Sequence, residues 1–360
     1  MATYTPCRIM SPTEDLRPKT AVLHQFTGIG DLIWHLQYIK AVAAQSRDGQ
    51  VSLIAQPSTF ARQIVGHEPW IASVIDHDHR PRRGAHKKRA EHGGLSGMRR
   101  MARSLRALGF ERIVLFSGRV SRGLLAALSG IPVRMGYGYY PLQRCFLNCP
   151  PYISRYRGRS VAAIKEAGAF AIAHGFCEAP LIPRLDIPSD VAKAMALRLS
   201  DMPRPLHALV IGTSEPHKQW GLEKFAALAE RLAATGAGVI LLGGPAEAAL
   251  AQEIHAAIAE KYGAQVVSLT NLRILESAAV LQSADVCTGN DTGMINIAAA
   301  VGTPTLVLLG QRPVLDHDPL LKSLTAPSLK ALSVDAVWSE LTPWMAAAKP
   351  AIAHVSTLSN

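Results

Sequence analysis

Aromatic residues are few, 6% of 360 positions, and none falls inside the most basic stretch of the chain. That absence removes the stacking platform a single-stranded nucleic acid needs. Cysteine is scarce too. Cys7, Cys145, Cys149, Cys177 and Cys287 are odd in number and scattered, which excludes a disulfide framework and points to free thiols in a reducing cytoplasm. Cys145 and Cys149 lie close in sequence, but no second pair or His cluster completes a zinc site. Long apolar runs are missing as well. The longest uncharged stretch, Thr292 to Gln311, is broken by Gly302-Thr303-Pro304, so no spanning helix is expected. The first residues lack an apolar h-region and carry Arg8, Glu14, Asp15, Arg17 and Lys19. They are expected to form a flexible extension over residues 1–19 rather than a signal peptide.

Acids are outnumbered, 27 against 38 Lys and Arg, for a net charge of +11. The imbalance is local. Arg80, Arg82, Arg83, Lys87, Lys88, Arg89, Arg99, Arg100, Arg103 and Arg106 are opposed only by Glu91. Such a face suits an anionic partner, either a phosphorylated glycolipid or a membrane surface. Nucleic acid has only the charge in its favour, and no nucleic-acid partner is expected.

A hydrophobic content of 48% over 360 residues supports two cores rather than one. Short apolar segments alternate with amphipathic ones: strand Thr20–Phe26, helix Asp31–Gln45, strand Val51–Ala55, and so on to a closing helix near Val334–Ala348. That alternation predicts an α/β chain of parallel sheets covered on both faces. Pro180, Pro183 and Pro188 mark a linker. The expected organisation is an N-terminal Rossmann-like domain at 20–180, a C-terminal one at 181–330, and a helix and tail at 331–360. Doubly wound domains bind ligands beyond the carboxyl ends of their strands.

The densest signal is Ala284 to Gly310, a strand, a turn, a small-residue helix and another strand. Asn290, Asp291 and Thr292 are N-cap types at the helix start. Gly293 permits a close backbone approach. A helix N-terminus offers unpaired N–H groups and partial positive charge, which suit a phosphate. A second turn follows the strand Ala208–Ile211 and carries Thr213, Ser214 and Lys218. Hydroxyls and a lysine at a strand end are what a diphosphate needs. Glu247 follows the strand Gly238–Leu242 and suits a ribose or base edge, or a helix N-terminus. Near the start of the chain, Gly28 and Gly30 flank a turn that places Asp31 at the mouth of the first sheet.

The ordered set of Thr27-Gly28-Ile29-Gly30-Asp31, Gly212-Thr213-Ser214, Lys218-Gln219-Trp220, Gly243-Gly244-Pro245 with Glu247, and Asn290-Asp291-Thr292-Gly293 resembles glycosyltransferase family 9, the heptosyltransferases. The resemblance runs from about Thr20 to about Gly310. It implies a GT-B architecture of two facing Rossmann-like domains, the first for an acceptor and the second for a nucleotide sugar. It implies an inverting transfer from a nucleotide-diphosphate sugar, ADP-heptose first, to an anionic glycolipid of the lipopolysaccharide core, at the inner face of the cytoplasmic membrane. No cofactor and no metal are implied.

Asp31 is then the general base, and Thr213, Ser214, Lys218, Glu247, Asp291, Thr292, Gly293 and Asn296 the donor-binding set. Gly28, Gly30, His35, Arg82, Arg83, Lys87 and Lys88 form the acceptor side. His24 and Tyr38 lie near the same loop as packing or acceptor residues. Capping of its own helix is expected to lower the pKa of Asp31. One departure stands out: heptosyltransferases commonly carry histidine where this chain has Asn296. Asparagine donates to phosphate but never becomes cationic, so the donor sugar stays open.

Three other readings compete. Asp76-His77-Asp78 and Asp316-His317-Asp318 have the spacing of a divalent-ion site but read as polar loops. A dinucleotide oxidoreductase is disfavoured because Ile33 replaces the third glycine of its fingerprint and no acid ends the strand VSLIAQ. A non-catalytic sugar-nucleotide or glycan-binding protein on the same fold remains the alternative.

Overall fold

The computed structural model describes residues 15–80, 90–213 and 215–347. Arg82, Arg83, Lys87, Lys88 and Ser214 lie outside the described residues, as do 1–14 and 348–360.

The first sheet holds β1 (Thr20–His24), β2 (Val51–Ala55), β3 (Ile71–Asp76), β4 (Arg112–Phe116) and β5 (Val133–Gly136) in the order β3-β2-β1-β4-β5. The second holds β6 (Leu206–Val210), β7 (Gly238–Leu242), β8 (Val266–Leu269), β9 (Val286–Asn290), β10 (Thr305–Leu309) and β11 (Leu321–Thr325) in the order β11-β10-β9-β6-β7-β8. All pairings are parallel. The strands β1, β2, β6, β7, β9 and β10 are buried along their whole length. That is the pattern of a parallel sheet with both faces covered. Edge strand β11, with only Leu321 buried, is too polar to be read as a strand and was not expected.

Helices α1 (Ile29–Ala44), α2 (Ala61–Val65), α3 (Gly94–Ala107), α4 (Val120–Leu128), α5 (Pro141–Arg144) and α6 (Ala162–Ala173) accompany the first sheet. Helices α7 (Ser189–Arg198), α8 (Leu222–Ala233), α9 (Ala248–Tyr262), α10 (Ile274–Ser283), α11 (Gly293–Ala300) and α12 (Val334–Ala347) accompany the second. Helix α12 is held to α8 by Arg231, whose guanidinium lies 4.3 Å from the Trp338 ring and whose Nη1 is 2.7 Å from Asp335.

One apolar cluster runs from the first sheet (Val22, Val114) through α1 and α11 (Leu36, Ile295, Ile297) into the second (Ala208, Val307). Each fully buried aliphatic side chain there contributes about 1.5–3 kcal/mol. The two sheets therefore share a dry contact along α1 and α11. Polar ties frame it: Ser160 and Lys165 bond to Asp316, and Arg184 bonds to the buried Asp318 at 2.5 Å.

Candidate active site

Both sheets reverse strand order beside their first strand, between β1 and β4 and between β6 and β9. A crevice opens at such a switch point, outside the carboxyl ends of the strands. The loops after β1, β6 and β9 converge here.

The loop after β1 delivers Asp31 in the first turn of α1. Its Oδ2 accepts from the Gly28 N–H at 3.2 Å, so the carboxylate does cap its helix. The expected fall in pKa does not follow. Burial pushes the Asp31 carboxyl up to about 6, against the Gly28 bond and Lys218, with Asp291 adding to the rise. Desolvation outweighs the cap because it penalises the charged form more than one N–H rewards it. The Asp31 carbonyl accepts from His35 Nδ1 at 2.6 Å and His24 Nε2 at 3.2 Å. A carbonyl can only accept, so those nitrogens carry the protons. Burial lowers the pKa of His35 to about 4 and that of His24 well below its ordinary value, leaving both neutral. His35 is 0% exposed, among His24, Phe26 and Phe116. The sequence placed His35 on the acceptor side; its ring is enclosed on the core side of α1.

The loop after β6 delivers Lys218, 12% exposed, paired with Glu215 and 3.7 Å from Asp291. Thr213 is engaged in its own turn, its hydroxyl 3.2 Å from the Glu215 backbone N and O. The loop after β9 delivers Asp291, whose Oδ2 also meets Arg312 Nε at 3.1 Å. Thr292 is the N-cap residue of α11, and its buried Oγ1 has no partner among the described residues. Asn290 caps nothing. It ends β9 and ties the two loops, accepting from the Trp220 N–H and donating to the Ile211 carbonyl and Gln219 Oε1. Glu247 Oε2 accepts from the Gly244 N–H at 2.8 Å, with the side chain against Gly212 and Gly243.

The glycines act through space, not through φ. A Cβ on Gly28 would lie 2.7 Å from Asp31 Oδ2, and one on Gly30 2.7 Å from Asn296 Nδ2. A Cβ on Gly293 would lie 2.8 Å from Ile29 Cβ. The close approach expected at Gly293 is therefore made by α1. Asn296, 3% exposed, donates to the Thr292 carbonyl at 3.1 Å and accepts from Trp34 Nε1 at 2.8 Å. Both amide heavy atoms thus have a partner inside the protein, where the sequence placed Asn296 among the donor-binding residues.

Sequence reasoning missed Arg312 and Glu215, which are remote or unremarkable in sequence. It also missed Arg122, which is 5% exposed, with a buried Nε that has no partner and no carboxylate ion pair among the described residues. Burial, then Arg119 and Arg80, lower its pKa to about 10. His77, His79 and His92 cluster nearby, with His77 and His79 ring centroids 4.8 Å apart. Of the two Asp-His-Asp tripeptides, Asp76 faces Arg62, Asp316 is tied to Ser160 and Lys165 of the first unit, and Asp318 to Arg184.

Chemically, Lys218 and Asp291 act on a buried carboxylate whose pKa is raised to about 6, and Arg312 joins them through Asp291 beside the N-terminus of α11. The family model described as glycosyltransferase family 9 (heptosyltransferase) matches residues 98–335. This chain belongs to glycosyltransferase family 9. The family 9 match begins beyond the loop that carries Asp31. The chain is 28% identical over 232 residues to lipopolysaccharide heptosyltransferase 2 of Salmonella typhimurium, covering 61% of this chain and 66% of that protein. It is 26% identical over the same length to the Escherichia coli protein of that name, with the same coverage. The matched stretch thus spans about two thirds of these curated relatives. Among solved family 9 folds, E. coli ADP-heptose lipopolysaccharide heptosyltransferase II superposes with a TM-score of 0.69 at 19% identity, over 91% of this chain and 99% of that one. E. coli heptosyltransferase WaaC with ADP superposes with a TM-score of 0.65 at 20% identity, over 92% and 99%. The fold is GT-B. Among the described residues no helix is long and apolar enough to cross a membrane.

Proposed function

We propose that the protein transfers heptose from ADP-heptose to an anionic lipopolysaccharide-core acceptor, with inversion and without a metal. The observation that carries this reading is the meeting of Asp31 with the Lys218–Asp291–Thr292 constellation across the two switch points. Asp31 accepts the acceptor hydroxyl's proton as that oxygen bonds to the anomeric carbon. The bond from that carbon to the diphosphate breaks on the opposite side, and ADP leaves with the electron pair. Lys218, Arg312, the Thr292 hydroxyl and the Gly293 N–H hold the diphosphate, which replaces Asp291 and Glu215 as partner of the two cations. Thr213, Ser214 and Glu247 belong to the nucleotide side, residues 181–330. Residues 20–180 receive the acceptor past Gly28 and Gly30. Buried Arg122, with Arg119 and Arg80, takes the acceptor's acidic group, because an unpaired buried guanidinium favours an anion. Arg82, Arg83, Lys87 and Lys88 extend that attraction toward the inner membrane face.

Calorimetry with ADP, GDP, UDP and NAD, followed by a mass-detected transfer assay with ADP-heptose, tests the reading. ADP should bind best, and Lys218→Ala should weaken it about 10- to 100-fold, as expected for a charged hydrogen bond. Tight ADP binding without turnover on any core acceptor would favour the non-catalytic sugar-nucleotide-binding alternative.

A further inference from the structure

Asn296 departs from the residue expected at its position, and the structure gives it a different job from phosphate binding. Its amide has two occupied ends. Nδ2 donates back to the Thr292 carbonyl, one turn earlier on α11, and Oδ1 accepts from the Trp34 indole on α1. The amide orientation is fixed by these partners, since the reverse would set two donors face to face. Trp34 lies one turn after Asp31, and Asn296 one turn after Thr292, a rise of about 5 Å each. Beside the pair, the helix starts touch through Gly30 and Gly293, so no side chain intervenes. The indole also packs edge-on against His317, with ring centroids 5.7 Å apart, next to Asp316, which is tied to Ser160 and Lys165. The hydrogen bond is mostly withdrawn from water, where breaking it leaves a buried oxygen unpaired.

We propose that Trp34 and Asn296 are positioning residues. Their hydrogen bond clasps α1 to α11 and sets the distance between the Asp31 carboxylate and the Asp291-Thr292-Gly293 turn. The catalytic half of this inference rests on the proposed transfer reaction. Neither side chain touches substrate, so loss of the clasp should act on alignment and not on donor affinity. A small misplacement of reacting groups is enough to slow turnover severely.

The experiment compares Trp34→Phe, Asn296→Ala and the double variant. In 15N-indole spectra, the signal lost in Trp34→Phe identifies the Trp34 N–H, which should move upfield in Asn296→Ala. In transfer assays each single variant should lose roughly 10- to 100-fold in kcat, with KM for ADP-heptose and Kd for ADP within about threefold of wild type. The double variant should be no slower than the slower single one, because both remove the same bond. An indole signal unmoved by Asn296→Ala, or wild-type kcat in Trp34→Phe, overturns the inference while leaving the transferase reading intact. Losses that multiply in the double variant also overturn it. A wild type that binds ADP without turnover overturns the transferase reading and the positioning role together, and the indole spectrum then decides only whether the bond forms.

Discussion

A carboxylate that must accept a proton near neutral pH has to be kept from water without being neutralised by a close cation. Asp31 meets that condition: burial raises its pKa to about 6, and Lys218 opposes the rise only in part. Two consequences follow at the residue scale. With Asp31 as the base of the proposed transfer, the rate should climb through an apparent pKa near 6, and Asp31→Asn should lower kcat about 100- to 10,000-fold. The stability effect has the opposite sign. The folded protein retains a proton that the unfolded chain has released between 3.8 and about 6, so this group's contribution to stability falls as pH rises across that window. Asp31→Asn should therefore melt no lower than wild type at pH 8, and a clear fall in Tm there would place the carboxylate in a structural role. The raised pKa was not legible from the sequence. The motif located Asp31, but its environment is built by residues far away in the chain. His35 shows the same limit, since a histidine four positions beyond a loop aspartate reads equally as ligand or core.

At the scale of elements, the contact of α1 with α11 leaves space for two glycines and nothing larger. Gly293→Ala would place a methyl 2.8 Å from Ile29 Cβ, a stiff branched carbon that cannot move aside. Overpacking of this kind costs about 1–3 kcal/mol, more than the gain of at most about 1 kcal/mol from replacing glycine in a helix. Urea denaturation should show a net loss of stability, and turnover should fall with it. Unchanged stability would mean that the helices separate more readily than their packing indicates. The strands and helices that frame this contact were legible, because short apolar runs such as ALVI and GVILL, bounded by glycine turns, suit central strands of a covered sheet. The strand Leu321–Thr325 was not, because an edge strand reads LKSLT, with a lysine facing solvent. The partners of Asp291 were half legible. Lys218 sits in a recognisable turn, whereas Arg312 reaches the site from the far end of β10 and carries no local signature.

For the whole molecule, the dominant feature is the gathering of basic residues in one stretch of sequence, Arg80 to Arg106. Arg99, Arg100 and Arg103 lie on the exposed face of α3, next in sequence to the basic segment around Arg82 to Lys88. Replacing Arg82, Arg83, Lys87 and Lys88 together with serine should weaken binding to vesicles rich in anionic lipid, at about 1 kcal/mol per charge near the surface. ADP affinity should be unaffected. Equal vesicle and acceptor binding by the variant and wild type would remove this segment from the functional account.

The touching glycines have a geometric consequence. Between Gly30 and Gly293 the two helix starts meet backbone to backbone, and a turn of one helix against the other about that contact would displace each atom in proportion to its distance from it. Gly30 and Gly293 adjoin Asp31 and Thr292, so the bond-making centre sits close to the axis. The outer reaches of the crevice, where a nucleotide base or a lipid tail would lie, sweep the longest arcs. Such a turn would open the rim of the crevice far more than it would shift Asp31 and Thr292, which adjoin the contact.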